Sequence, residues 1–104
     1  MKSHVYVLVH ATEPRLKVGK ANNVFCRLLS LGLSKVVDVE RSFAVRARSA
    51  DEAFKLERQL HKELAAWRLR PEDFPDGGCP NKGFTEWFKD ECVGSARKVA
   101  EEAA

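Results

Sequence analysis

The sequence contains few cysteines, and their arrangement does not suit a structural role. Cys26, Cys79 and Cys92 are odd in number, lie far apart and include no Cys-x-x-Cys pair. This pattern argues against a disulfide scaffold and against a zinc finger, both of which need paired or closely spaced cysteines. It favours a reducing compartment, and we therefore expect a cytoplasmic protein.

Long hydrophobic runs are also absent. The longest uninterrupted apolar run covers residues 5–9, whereas a membrane-spanning helix needs about 20 apolar residues. The first residues lead directly into an alternating strand pattern, without the apolar stretch of a secretory leader. We therefore expect no membrane partner, and the oligomeric state stays open.

Internal repeats and low-complexity segments are missing as well. The 104 residues, of which 44% are hydrophobic, suffice for one core but not for two. We therefore expect a single domain over residues 1–104. Its core would cover about residues 3–88, and a C-terminal helix would cover about residues 89–103.

Positive charge is concentrated in the first two thirds of the chain. Residues 1–35 carry six basic residues and one acidic residue, residues 41–70 carry eight and four, and residues 71–104 carry four and eight. This distribution is compatible with a polyanionic partner, most simply nucleic acid, and equally with a solvated surface that is merely rich in arginine, since a net charge of +3 is modest for a DNA-binding domain. If nucleic acid is the partner, the basic residues that we expect to contact it are Lys20, Arg46 and Arg48.

Alternating or β-branched segments predict three strands, over residues 4–10, 16–20 and 37–46. The first two are close enough for a hairpin. Gly19, near the end of the second strand, indicates a place where another group approaches the backbone closely. The residues that would form a buried face of the third strand are Val37, Val39, Phe43 and Val45.

Two further segments have the pattern of capped helices. Asn22 or Asn23 can cap a helix over residues 24–31, and Ser49 begins a capping box that opens a longer helix over residues 50–67. The apolar face of the first helix would consist of Val24, Leu28 and Leu31. The apolar stripe of the second would consist of Ala53, Leu56, Leu60, Leu64 and Trp67.

The last third of the chain begins with a loop, because residues 71–83 are rich in proline and glycine. Residues 84–88 form an aromatic segment that fits either a small strand or a docking strip, and the tail has a helical composition. The order of elements indicates an α+β or α/β fold around a small three-stranded sheet.

Four polar residues from four consecutive elements lie on or beside apolar patterns, where side chains can converge. They are Tyr6, Lys17, Arg27 and Glu57. Phosphodiester hydrolysis needs a proton acceptor for the attacking water and a cation that faces the phosphoryl oxygens. It also needs a stabilised leaving oxygen, for which one Mg²⁺ held by a single carboxylate is sufficient in principle.

Each of these residues also has a structural interpretation. The alternatives are a packed aromatic for Tyr6, a snorkelling edge residue for Lys17 and a surface ion pair for Arg27. Glu57 lies within the apolar stripe of its helix and needs a partner, which His61 or Arg68 on the flank would provide. The spacing of Glu57 and His61 also permits a two-residue metal site.

Two tripeptides and three later features follow one another in a distinctive order. His4-Val5-Tyr6 is followed, eleven residues on, by Lys17-Val18-Gly19, then by Arg27, by Leu56-Glu57-x-x-Leu60-His61, and by Gly83-Phe84-Thr85-Glu86-Trp87-Phe88. This arrangement resembles the GIY-YIG nuclease superfamily over about residues 4–88. The helix motif and the EWF strip resemble its branch of short proteins typified by phage T5 open reading frame 172.

The resemblance implies a metal-dependent DNA endonuclease with a small central three-stranded antiparallel sheet flanked by helices, an α+β fold. It implies one Mg²⁺ or Mn²⁺ ion as the cofactor and DNA as the partner. By position, Tyr6 would help to activate the attacking water. Arg27 would contact the scissile phosphate, and Glu57 would hold the ion.

Two positions depart from the usual signatures of that superfamily. His4 replaces a glycine, and Lys17 replaces a tyrosine, as in the short branch. Lys17 can accept a proton only as the neutral amine, which burial and a nearby cation would favour; otherwise it would hold a phosphate. The late polar residue near the metal has no clear match, and the accessory candidates are His61, Glu86 and Asn81.

Two other functions stay open at this point. The fold is also compatible with a nucleic-acid-binding module that has lost its chemistry, since Lys17 departs from the signature and the chain is short. A protein–protein adaptor that uses Trp67, Trp87 and the aromatic strip is a third interpretation.

Overall fold

Four strands and three α-helices make up the part of the chain that a computed structural model describes, residues 3–73 and 86–103. The strands are β1 (Ser3–His10), β2 (Arg15–Ala21), β3 (Val37–Ala47) and β4 (Trp87–Lys89). The helices are α1 (Val24–Ser30), α2 (Ala50–Glu63) and α3 (Val93–Ala103). Short 3₁₀ turns cover Ala65–Trp67, Pro71–Asp73 and Asp90–Cys92.

The strands form one antiparallel sheet in the order β3-β1-β2-β4. The α+β class and the antiparallel sheet are confirmed, but the predicted number of strands is wrong. The fourth strand comes from the aromatic segment, because Trp87–Lys89 pairs with Arg15–Lys17. Phe84 and Thr85 of that segment lie outside the described residues, as does most of the predicted loop.

β1 and β2 form the predicted hairpin. Val9 lies opposite Leu16, and the Nδ1 atom of His10 accepts hydrogen bonds from the backbone N–H groups of Thr12 and Glu13, at 3.2 and 3.0 Å. These bonds satisfy backbone donors that the sheet ladder does not reach. The hairpin therefore closes through a side chain that belongs to β1 itself.

β3 contains an irregularity that the alternating pattern does not predict. Val7 pairs with Phe43, but Val9 pairs with Asp38, so extra residues of β3 bulge out between these two pairs. The Ser42 hydroxyl bridges the gap, since it accepts from the N–H of Val9 at 2.8 Å and donates to the carbonyl of Asp38 at 2.6 Å. Phe43 and Val45 contact the core as expected. Val39 does not, because the bulge leaves it 77% exposed.

The two faces of the sheet carry different chemistry. One face is apolar and packs against α2 and α3; its buried residues on β1 and β2 are Val5, Val7, Val9, Leu16 and Val18. Side chains alternate along a strand, so the intervening residues lie on the opposite face. These residues are Tyr6, Leu8, Lys17 and Gly19, and cross-strand pairing places Tyr6 beside Gly19 and Leu8 beside Lys17.

The two longer helices differ from their predicted limits at one end. α2 begins after the Ser49 cap, whose hydroxyl accepts from the N–H of Glu52, but it ends at Glu63, and a 3₁₀ turn leads to Trp67. α3 begins at Val93 rather than near residue 89, because the sheet and a 3₁₀ turn use the residues before it. Cys92 and Ala96 are fully buried, so the core extends beyond residue 88. No helix of the described ranges is long and apolar enough to cross a bilayer.

α1 is capped as predicted, and its apolar face is only partly covered. The Asn23 side chain accepts from the N–H of Cys26 at 3.0 Å. Of the predicted apolar face, Val24 and Leu28 are half-buried and Leu31 is 39% exposed. Phe25 and Leu29, on the other side of the helix, are 68% and 55% exposed.

The placement of the core predicts opposite results for two leucines. Leu60 is fully buried between α2 and the sheet, so Leu60→Ala should lower the free energy of unfolding by about 2–5 kcal/mol through lost contacts and a cavity. Leu29→Ala on the exposed face of α1 should change it by less than about 0.5 kcal/mol. Urea denaturation followed by circular dichroism measures both values. Equal losses would contradict the assigned core.

Candidate active site

Tyr6 lies on the face of the sheet that does not pack against α2 and α3, and charged side chains from several elements act on its hydroxyl. It is 3% exposed, and its ring lies directly over Gly19, its partner on β2. A Cβ atom at position 19 would collide with the phenol ring and its hydroxyl. The close approach expected at Gly19 is therefore confirmed, and the group that approaches is Tyr6.

Three charged side chains act on the Tyr6 hydroxyl. Burial raises the pKa of Tyr6 to about 12, the Glu86 and Glu57 carboxylates add to the rise, and the Arg27 guanidinium opposes it. Such effects require charges that lie close to the phenol. The structure thus brings Arg27 and Glu57 near Tyr6, and the phenol keeps its proton at neutral pH.

Lys17 lies two residues before Gly19 and therefore on the same face of the sheet as Tyr6. Lys17 is only 5% exposed, and its ammonium forms an ion pair and hydrogen bond with the Glu86 carboxylate. The same ammonium lies 5.6 Å from the centre of the Trp87 ring. A buried ammonium needs such partners, because an unpaired charge away from water is costly.

Glu57 is half-buried on α2 and has a carboxylate as a neighbour. Burial and the Glu86 carboxylate raise the pKa of Glu57, while the ammonium groups of Lys20 and Lys17 lower it. Within residues 3–73 and 86–103, no cationic side chain lies within 4.0 Å of the Glu57 carboxylate. The structural ion pair with Arg68 or His61 is therefore not formed.

His61 lies one turn after Glu57 and is half-buried. Its ring meets the Phe88 ring edge-on, with 5.3 Å between the ring centres. Burial lowers the pKa of His61, with Arg68 and Lys17 acting in the same direction and the Val18 backbone opposing them. The ring is therefore neutral at pH 7. Its Nε2 atom is buried and has no hydrogen-bond partner among the described residues.

Arg27 is an exposed cation among these charged side chains. In the described part of the chain, no carboxylate lies within salt-bridge distance of its guanidinium, so the surface ion pair considered above is not formed. Arg27 lines a shallow groove together with Lys20, and Ser3, Asn22 and Ala50 complete the lining. An anion that enters this groove meets two cations.

The three predicted DNA contacts occupy two different places. Lys20 lies near Glu57, whose pKa it lowers. Arg46 is exposed opposite His4 on β1, and with Arg48 it lines a separate groove of about 400 Å³ between β3, α2 and the end of α3. Neither Arg46 nor Arg48 is among the charges that act on Tyr6 or Glu57. The structure therefore joins Lys20 to these charged side chains and leaves the two arginines apart from them.

The family model of the T5orf172 domain matches residues 3–104 of the chain. The chain belongs to the T5orf172 domain family. This domain is associated with nuclease-like proteins. Neither the curated proteins nor the solved structures contain a match to the chain.

The donor atoms of this T5orf172 domain fit a hard divalent cation only in part. No group of three or more His, Cys, Asp or Glu side chains suited to a metal occurs in residues 3–73 and 86–103. The Glu57 carboxylate has the Glu86 carboxylate as a neighbour and no described cation in contact with it, whereas Glu86 is already paired with the Lys17 ammonium. Mg²⁺ needs only one or two carboxylates, because water completes its shell. Asn81 lies outside the described residues.

Glu86 interacts with more of the site than the sequence indicates. The sequence makes it an accessory candidate only, yet its carboxylate pairs with Lys17 and acts on Tyr6, Glu57 and His61. A signal was present, because a lysine that alternates into a buried strand face requires an anion. The sequence does not show which of its 15 acidic residues supplies that anion.

The contact of Tyr6 with Gly19 predicts a site-specific loss of stability. Gly19→Ala forces the Tyr6 ring to move, which should lower the free energy of unfolding by about 1–3 kcal/mol. Gly94→Ala in α3 is the matched control, since a methyl group there enters open space and should leave stability unchanged or higher. Urea titrations of the two variants compare them, and a Gly19→Ala protein as stable as wild type would contradict the contact.

The environment of Glu57 predicts that its negative charge destabilises the folded, metal-free protein. Glu57→Gln should be as stable as wild type or more stable at about pH 7, because burial and Glu86 disfavour the carboxylate. The pKa of Glu57 is higher in the folded chain than in the unfolded chain. Wild type therefore loses stability relative to the variant as the pH rises through that folded value, and the difference shrinks near pH 4.

Thermal melts of metal-free protein at several pH values test this expectation. Glu63→Gln, on the exposed side of the same helix, controls for the removal of one negative charge. A marked loss of stability in Glu57→Gln, without a similar loss in Glu63→Gln, would instead assign Glu57 to a structural ion pair.

Proposed function

We propose that this T5orf172 domain is a metal-dependent DNA endonuclease with the GIY-YIG arrangement of catalytic residues. The observation that carries the proposal is the position of the Tyr6 hydroxyl, which lies over Gly19 where charges from separate parts of the chain reach it. The Glu86 and Glu57 carboxylates raise the pKa of Tyr6, and the Arg27 guanidinium lowers it. A phenol, a guanidinium and carboxylates that act on one another suit hydrolysis of a phosphodiester.

Tyr6 and Lys17 lie near the attacking water in this proposal. With a pKa of about 12, Tyr6 orients the water through its hydroxyl and does not hold the proton that leaves. The Lys17 ammonium is paired with Glu86 and has no lone pair, so it contributes a positive charge. The neutral imidazole of His61, one turn after Glu57 on α2, is the accessory candidate for accepting the proton.

Arg27 binds the scissile phosphate. Its guanidinium is exposed and has no described carboxylate to compete with a phosphate, and two parallel N–H groups fit two phosphoryl oxygens. Lys20 lines the same groove and adds a second cation for the DNA backbone. These charges stabilise the negative charge that develops on the phosphoryl group.

Glu57 would hold one Mg²⁺ or Mn²⁺ ion, and the neighbouring Glu86 carboxylate would assist. The ion, when bound, stabilises the leaving oxygen and activates water as a Lewis acid. The raised pKa of Glu57 fits this role, because the carboxylate has no described cation in contact with it and gains from binding one.

The second candidate is a DNA-binding module that retains the fold and lacks catalysis, since Lys17 occupies a signature position and is held in an ion pair. The adaptor interpretation has less support, because Trp87 is 8% exposed and Trp67 is half-buried against the core.

Cleavage of supercoiled plasmid with Mg²⁺ or Mn²⁺ tests the enzyme proposal. Glu57→Ala and Arg27→Ala should each lower the rate about 100-fold or more, since each removes a charge that acts on the transition state. Chelation of the metal should abolish cleavage. Arg70→Ala, which removes an exposed arginine paired only loosely with Glu72, is the matched control and should leave the rate unchanged.

Equal cleavage by all preparations would mean a contaminating nuclease or a wrong site. Binding of DNA that weakens with salt, without cleavage under either metal, would favour the inactive module. Absence of DNA binding even at low salt would contradict both.

A further inference from the structure

Phe54 is an exposed aromatic ring on the solvent side of α2. It is 44% exposed, and two cations lie against it: the Lys20 ammonium at 5.1 Å and the Arg58 guanidinium at 5.7 Å from the ring centre. An exposed ring contributes little to the core, and the residues that bury α2 are Ala53, Leu56 and Leu60. Stability of the fold therefore does not account for a phenylalanine at this position.

The position of Phe54 relative to the proposed active site is specific. Phe54 lies one turn before Glu57 on α2, so the two side chains are neighbours on the helix surface. The Lys20 ammonium links them, because it contacts the Phe54 ring and also lowers the pKa of Glu57. The ring thus stands beside the groove that contains Arg27 and Lys20.

The surface that leads away from Phe54 is basic. Lys55, Arg58 and Lys62 line a shallow groove along α2, together with Gln59 and Glu63. A phosphate backbone that follows these cations would place its bases against the exposed ring. Cations and an aromatic ring side by side are the two components of a surface that binds an unstacked nucleotide.

We propose that Phe54 stacks against an unpaired base next to the scissile phosphate, so that the preferred substrate is DNA with an unpaired nucleotide at the cleavage site. The inference rests on the proposed function, whose substrate it narrows. Cation–π contacts at exposed sites are weak, and a base stacked on an aromatic ring is more favourable, so an incoming base displaces one of the two cations. The displaced ammonium or guanidinium is then available to the flanking phosphates.

Binding without catalysis tests this inference. Two labelled duplexes of the same sequence, one fully paired and one with a single unpaired adenine, are titrated with protein in the presence of EDTA. Wild type should bind the second duplex about tenfold more tightly, the effect expected of one stacked base. Phe54→Leu should lose this preference but keep its affinity for the paired duplex, and Phe54→Trp should keep or increase the preference.

Phe25→Leu is the matched control. Phe25 is the more exposed of the two rings, at 68%, and none of the described cations lies over it. Its replacement should leave the preference for the unpaired base unchanged. Circular dichroism of each variant establishes that the helices are intact.

The outcomes separate this inference from the proposed function. Wild type that binds and cleaves duplex DNA with no preference for the unpaired base overturns the role of Phe54 and leaves the nuclease proposal standing. An equal loss of preference in Phe54→Leu and Phe25→Leu also overturns it. Failure of wild type to bind either duplex at low salt overturns both proposals.

Discussion

The ion pair between Lys17 and Glu86 determines much of the arrangement described above. A lysine in the middle of a buried strand face is tolerated only if an anion reaches it, and Glu86 meets this need from the residue before β4. The pair ties β4 to β2 at the point where Trp87 lies opposite Lys17. β4 is thereby held against the hairpin that carries Tyr6.

The same carboxylate sets the electrostatics of the polar face. Among the carboxylates that act on Tyr6, Glu86 has the largest effect, and it raises the pKa of both Tyr6 and Glu57. Glu57 has no described cation in contact with it, and Arg27 has no described carboxylate within salt-bridge distance. The proposed binding of a divalent metal and a phosphate rests on these two unbalanced charges of opposite sign.

Local features of the fold could be predicted from the sequence, because they depend on neighbours along the chain. The hairpin, the Asn23 and Ser49 caps and the close approach at Gly19 are of this kind. The bulge of β3 could not be predicted, since it depends on the Ser42 hydroxyl reaching β1.

Features of the site that join distant parts of the chain were harder to predict. The apolar face of α1 could be predicted from its spacing, but not that packing covers Val24 and Leu28 only in part and leaves Leu31 exposed. The four proposed catalytic residues were identified from their order in the chain. The Glu86 carboxylate pairs with Lys17 and acts on Tyr6 and Glu57. Its pairing with Lys17 joins residues that are 69 positions apart in the sequence, and no local pattern reveals such a contact. Arg46 and Arg48 carry the same positive charge as Arg27 and Lys20, but they line a different groove.

The contact between Tyr6 and Gly19 also limits which substitutions these two positions can accept during evolution. A side chain at position 19 becomes admissible only when the ring at position 6 is lost or reoriented, so the two positions are expected to mutate as a unit. Joint randomisation of both codons, followed by selection for folded protein, would recover glycine wherever an aromatic ring is retained. The hairpin thus couples the size of the residue at position 19 to the identity of its cross-strand partner at position 6.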